Sequence, residues 1–129
     1  MDLPIELKNK TILLVDDDEF IRDALGMAFR KAGARILTVE TAEEGLQVLE
    51  REKFDIIIFD YRLPGMDGLE FLQSATKTLP GSIKVFISAE ADDAIASKGL
   101  ESGAHAYLPK PFLPRTLMGL LAELIERYN

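Results

Sequence analysis

The chain has 129 residues, 47% of them hydrophobic and 29% charged, and 22 acidic against 15 basic side chains give a net charge of −7. At roughly 100 to 200 residues per domain this is one domain, and its apolar content excludes a disordered chain. Zero cysteines exclude disulfides, zinc–thiolate sites and thiol catalysis together, and the acidic balance makes nucleic-acid backbones and anionic membranes poor partners.

Met1 to Lys10 mixes acids, bases and a proline, unlike a signal peptide. No apolar run approaches the ~20 residues needed to span a bilayer. Both features read as a cytoplasmic chain. Thr11 to Val15 is a short apolar run suited to a strand buried on both faces. Ile21, Ala24, Leu25, Ala28 and Ala32 then recur at helical spacing from Glu19 to Ala32, with Asp18 as N-cap and Gly33 as the stop. Arg35 to Val39 is a second strand. Thr41 opens the next helix with Glu44 three residues on, a capping box. Ile56 to Phe59 is the purest strand pattern, and Asp60 follows it.

Arg62-Leu63-Pro64-Gly65-Met66-Asp67-Gly68 is dense in turn formers. A helix carrying Leu69, Leu72 and Ala75 ends at Leu79-Pro80-Gly81. Ile83 to Ile87 is a fourth strand, Ala91 to Ser102 a weak helix, and His105 to Leu108 a short fifth strand. Pro109-Lys110-Pro111 breaks the chain before a last helix. There Leu113, Leu117, Leu120, Leu121, Leu124 and Tyr128 share a core-facing side. Met118 and Ile125 fall on its flank, either the edge of a wide core stripe or a partner surface. Five βα units in succession give an α/β fold, a parallel sheet with helices on both faces.

In such sheets the site lies beyond the carboxyl ends of the strands. Asp16-Asp17, Asp60, Ser88 and Lys110 stand at four of those ends. Asp18 and Glu19 read as helix-capping acids. Carboxylates brought close together repel unless a cation sits among them, and an oxygen-only set suits Mg²⁺, with Mn²⁺ the alternative. Prolines on both sides of Lys110 fix the backbone that aims its ammonium. An ammonium, a hydroxyl and a divalent cation around one carboxylate form a phosphoryl site with Asp60 as nucleophile. His105 is the only histidine, so no histidine dyad can form, and it reads as a surface residue. No glycine-rich nucleotide loop is present.

The pattern Ile12-Leu13-Leu14-Val15-Asp16-Asp17-Asp18-Glu19, then Phe59 to Gly68, then Ile87-Ser88-Ala89 and Lys110-Pro111-Phe112, closely resembles the receiver domain of bacterial two-component response regulators. The likeness covers about residues 10 to 128. It implies a doubly wound, flavodoxin-like sheet of five strands in the order 2-1-3-4-5. It implies a phosphoacceptor that catalyses only its own phosphorylation and dephosphorylation, not an enzyme with turnover. Asp60 would accept the phosphoryl group from a partner histidine kinase or phosphotransfer protein. Asp17 and Asp60 would ligate Mg²⁺ directly, Asp16 through water and Arg62 through its backbone carbonyl.

Lys110 would pair with the phosphoryl oxygens, across a cis Lys110–Pro111 bond. Ser88 and Tyr107 would act as the switch, reshaping the surface of the fourth helix, fifth strand and last helix. A phosphorylation-dependent homodimer is a further partner the likeness leaves open. No output domain follows Asn129, so a stand-alone regulator and an excised receiver are equally compatible. Arg62 and Glu90 are expected to face each other across the mouth of the site. Two alternatives stand beside this reading. One is a Mg²⁺-dependent phosphatase of the haloacid dehalogenase type, whose D-x-D spacing Asp16 to Asp18 supplies, though Phe20 stands where that pattern wants Thr or Val. The other is a pseudo-receiver that binds partners without being phosphorylated.

Overall fold

Five short apolar strands lie side by side, all parallel, in the computed structural model, which describes residues 3–89 and 93–128. They are β1 (Thr11–Val15), β2 (Arg35–Val39), β3 (Ile56–Asp60), β4 (Ile83–Ser88) and β5 (Ala106–Pro109), in the spatial order β2-β1-β3-β4-β5. The helices are α1 (Glu19–Lys31), α2 (Ala42–Arg51), α3 (Gly68–Thr78), α4 (Asp93–Glu101) and α5 (Pro114–Tyr128). The doubly wound order expected from the sequence is the observed one.

Side chains alternate across a strand, so each inner strand feeds two cores. Ile12, Leu14, Ile56, Ile58, Val85 and Ile87 face α1 and α5. Leu13, Val15, Ile57, Phe59 and Phe86 face the other way, onto α2, α3 and α4. This double burial is why β1, β3 and β4 are largely apolar rather than alternating.

The caps follow local chemistry. The Asp18 carboxylate accepts from the amides of Phe20 and Ile21, and Asp67 accepts from that of Glu70. Thr41 Oγ1 accepts from the Glu44 amide and its hydroxyl donates back to the Glu44 carboxylate. The return leg of this box thus runs side chain to side chain.

Four expectations need correction. Leu113 precedes α5 instead of sharing its stripe, and it is 61% exposed. Tyr128, at the far end, is 53% exposed. For Met118 and Ile125 the wide-core-stripe alternative holds: they are 2% and 5% exposed, because the stripe that meets the sheet is centred on Leu117, Leu121 and Leu124. The fifth strand starts one residue late. The Lys84 amide donates to His105 Nδ1 (3.0 Å) where a strand carbonyl would otherwise accept, so regular pairing begins at Ala106. His105 is therefore half-buried rather than a surface residue, with its ring edge-on to Tyr128 at 4.7 Å.

Two features were not anticipated. A short 3₁₀ turn, Ile5–Leu7, precedes β1 and inserts Leu7 fully into the core beside α5. Lys84, inside the fourth apolar run, is 1% exposed. Its ammonium donates to the carbonyls of Leu79 (2.7 Å) and Ser82 (2.8 Å), tying down the turn between α3 and β4. Burial lowers its pKa. The start expected for the fourth helix, at Ala91, lies outside the described residues.

Candidate functional site

The strand register builds the site. Val15 pairs with Phe59, so the next residues, Asp16 and Asp60, emerge side by side at the carboxyl edge. Ser88 pairs with Pro109, so Lys110 comes next to Ser88 and its amide donates to the Ser88 carbonyl at 2.7 Å. Four strand ends therefore deliver their polar residues to one edge, as the sequence reading required.

Asp16 is fully buried. Its Oδ1 accepts from the Asp18 amide (2.9 Å) and its Oδ2 from the Lys110 ammonium (3.0 Å). Asp60 is 6% exposed; its Oδ1 accepts from the Arg62 amide (2.9 Å) and its Oδ2 from Lys110 Nζ (2.6 Å). One ammonium thus bridges two buried carboxylates. Asp17 points into solvent beside them. Asp16, Asp17 and Asp60 each place a carboxylate oxygen within 4.8 Å of the others, and no other such cluster of three or more His, Asp or Glu occurs among the described residues.

Burial raises the Asp16 pKa, and the Asp60 charge adds to the rise; the Asp18 amide and Lys110 offset only part of it. For Lys110 burial alone would pull the pKa down, but its bonds to Asp60 and Asp16 outweigh burial and hold it up. The arrangement is an anion-rich, partly desolvated cup with a single ammonium in it. Three carboxylates with no nitrogen or sulfur donor fit a hard divalent cation that keeps some of its waters.

The flanking loop is shaped for close approach. The Gly68 amide donates to the Tyr61 carbonyl (2.7 Å), and a Cβ on Gly68 would lie 2.6 Å from Tyr61 Cα. Only glycine lets the loop close over the backbone that carries Asp60. The Lys110–Pro111 bond is cis, as expected.

Ser88 is fully buried at the end of β4. Tyr107 is half-buried, its ring 4.8 Å from that of Phe86, on the face that α4 covers. The Arg62 side chain is exposed, whereas Glu90, its expected partner across the mouth, lies outside the described residues. One group beside the site was missed in the sequence. Arg22, on α1, donates from Nη1 to the Asp16 carbonyl at 2.8 Å. A single arginine in an amphipathic helix gives no sequence signal of that reach.

Known proteins resemble this chain in sequence and fold. The family model described as the response regulator receiver domain matches residues 12–122. The transcriptional regulatory protein AfsQ1 of Streptomyces coelicolor is 35% identical over 117 residues, covering 91% of this chain and 52% of that protein. The phosphate regulon transcriptional regulatory protein PhoB of Pseudomonas aeruginosa is 34% identical over 120 residues, covering 92% of this chain and 52% of that protein. The chain thus spans about half the length of these curated relatives. Among solved structures, a CheY-like response regulator receiver domain protein from Methanospirillum hungatei superposes with a TM-score of 0.89 at 36% identity, covering 94% of this chain and 97% of that one.

Proposed function

Because the chain belongs to the response regulator receiver family, we propose that it is the phosphoacceptor module of a two-component system, with Asp60 as the residue phosphorylated. The observation that carries this reading is the Lys110 ammonium held between Asp16 and Asp60, 3.0 and 2.6 Å away, at the junction of four strand ends. Residues 10–128 are the receiver unit in this reading.

An Asp60 carboxylate oxygen attacks phosphorus in line with the bond to the donor imidazole. The P–O bond forms as the P–N bond breaks, and the departing electron pair stays on the imidazole nitrogen, which takes up a proton. Lys110 is already on Asp60 Oδ2 and can follow negative charge onto the incoming phosphoryl oxygens. The Arg62 amide fixes the other oxygen and with it the carboxylate plane. Asp16, Asp17, Asp60 and the Arg62 carbonyl would hold Mg²⁺, which when bound neutralises charge on the transferred group. Ser88 supplies a hydroxyl to the phosphoryl oxygens, and Tyr107 follows it as the switch.

The chain is a substrate of its partner and catalyses only its own modification. That partner is a histidine kinase or a phosphotransfer protein in the cytoplasm. Phe20 and Met27, 75% and 70% exposed and seven residues apart on α1, offer it an apolar strip beside the acids. No helix among the described residues is long and apolar enough to cross a membrane.

Intact mass after incubation with Mg²⁺ and acetyl phosphate tests the proposal. One added phosphoryl group is expected in the wild type and none in Asp60→Asn. An unchanged mass, or labelling that persists in the variant, overturns it. Continuous turnover of a phosphomonoester would instead favour the dehalogenase-type phosphatase.

A further inference from the structure

Arg22 is half-buried at the end of the first turn of α1, and its guanidinium reaches back six residues to the carbonyl of Asp16. That carbonyl belongs to the peptide joining Asp16 to Asp17, the two adjacent acids of the cup. The same backbone is gripped elsewhere: the Asp16 amide donates to the Val39 carbonyl on β2 (3.1 Å), and the Asp16 carboxylate accepts from the Asp18 amide. The amide of Asp16 is thus fixed by the sheet, its side chain by Lys110 and Asp18, and its carbonyl by Arg22. Asp17 is exposed, so its carboxylate is aimed mainly by the peptide from which it hangs.

Charge points the same way. Three carboxylates against the single Lys110 leave two negative charges uncompensated, and Arg22 brings this to one. A hydrogen bond from a guanidinium to a carbonyl is charge-assisted, and the rigid planar group aims its donor in a fixed direction, whereas a lysine would act as a mobile point charge.

We propose that Arg22 is a positioning residue of the metal cup: it locks the Asp16–Asp17 peptide so that the Asp17 carboxylate meets the divalent cation without reorganising. Resting on the receiver reading of the site, this adds a second layer of control on α1. Arg22 touches neither the cation nor the phosphoryl group. Its loss weakens cation binding and leaves the transfer step itself intact.

The test is calorimetric titration of the whole chain with Mg²⁺ alone, with no phosphodonor. Arg22→Gln is expected to raise the Mg²⁺ dissociation constant by roughly tenfold, the usual consequence of losing an outer-shell partner. Arg30→Gln makes the same change in net charge on an exposed arginine eight residues along α1, about 12 Å away. It should leave the constant unchanged. In phosphorylation by acetyl phosphate, Arg22→Gln should raise the half-saturating Mg²⁺ concentration while keeping the rate at saturating Mg²⁺. A constant equal to the wild type's, or an equal loss of rate at saturating Mg²⁺, overturns the role.

If Arg22→Gln does not unfold cooperatively, Arg22→Lys carries the test. Retaining the charge but not the rigid planar donor, it should show a smaller weakening in the same direction, and no weakening overturns the role. Wild-type protein that takes up no Mg²⁺ overturns the cup itself, whereas binding that Arg22 variants leave untouched overturns Arg22 alone.

Discussion

Gly99 on α4 lies against Phe86 on β4 with no room between them: a Cβ built on Gly99 would sit 2.3 Å from Cε1 of the ring. The glycine has no left-handed backbone to explain it, so space is its reason for being there. Phe86 in turn stacks near Tyr107 (4.8 Å) and lies 6.1 and 6.3 Å from the rings of Phe59 and Tyr61. Helix α4 thus rests on an aromatic cluster reaching from Tyr107 to the loop after Asp60.

Gly99→Ala is accordingly expected to destabilise the domain by about 1–3 kcal/mol, the usual cost of overpacking a core. That outweighs the roughly 1 kcal/mol gain in helix propensity. Phe86→Leu in the same chain should recover much of the loss, so the pair should be strongly non-additive. Urea denaturation of the four proteins measures it. A stabilised Gly99→Ala would show that the helix simply slides away.

Helix α4 should be the least protected helix in hydrogen exchange. Gly99 is its only fully buried residue among those described, Ile95 is half-buried, and Leu100 is 48% exposed. Few buried apolar contacts mean a low free energy of local opening. Protection equal to that of α1 would contradict this. Phosphorylation or a beryllofluoride mimic should change α4 exchange more than that of α2.

His105 should make stability fall on mild acidification. Burial and the Lys84 charge lower its pKa below 6.5, against the backbone contact to Lys84 that raises it. Well above 6.5 the imidazole is neutral in both states, and its contribution is complete. As the pH falls through that value the unfolded chain takes up a proton that the folded imidazole refuses, so stability declines until the folded pKa is passed. Protonation at Nδ1 would also break its bond from the Lys84 amide. Between about pH 8 and pH 5.5 the wild-type urea midpoint should drop more than that of His105→Asn, which keeps an acceptor but does not titrate. Parallel pH profiles would remove His105 as the cause.

The carboxylate cup should cost stability until a cation enters it. Asp16 has its pKa raised by burial above 3.8, so its contribution is favourable below that value and lost as pH climbs through the folded pKa. Without metal at neutral pH, Asp16→Asn should therefore melt higher than the wild type, and the gap should close on acidification. Mg²⁺ should raise the wild-type midpoint, by about 2.7 kcal/mol of stability at a hundredfold excess over the dissociation constant, and chelation should reverse it. Asp17→Ala should lose most of that response. Equal Mg²⁺ shifts in both proteins would mean that the ion binds elsewhere.

Sequence patterns were informative wherever one local rule decided the outcome. Strands β1, β3 and β4 announced themselves because burial on both faces leaves mostly apolar residues, and Asp18 and Thr41 because a cap needs a short acceptor at one position. The strand-end rule then brought Asp16, Asp60, Ser88 and Lys110 to one edge. What stayed hidden depends on a third dimension. Lys84 sits in an apolar run yet is buried, since two turn carbonyls can be reached from that one place. Met118 outranks Leu113 in the core because α5 begins at Pro114, leaving Leu113 outside the helix, and its sheet-facing stripe is centred on Leu117, Leu121 and Leu124. Arg22 acts through side-chain reach, which spacing along the chain does not report.

The four consecutive acids Asp16 to Glu19 do four different things. Asp16 faces inward to Lys110, Asp17 outward, Asp18 caps α1, and Glu19 begins the helix. Composition therefore tolerates no permutation here. Deleting one aspartate would leave the segment nearly as acidic and still apt to start a helix, but it would shift the phase between β1 and α1. Either the residue after Val15 would no longer point at Lys110, or Arg22 would rotate by about 100° away from the carbonyl it now grips. A one-residue deletion should thus be far more damaging than any single exchange of one acid for another, and natural length variation should be confined to the loops on the opposite edge of the sheet.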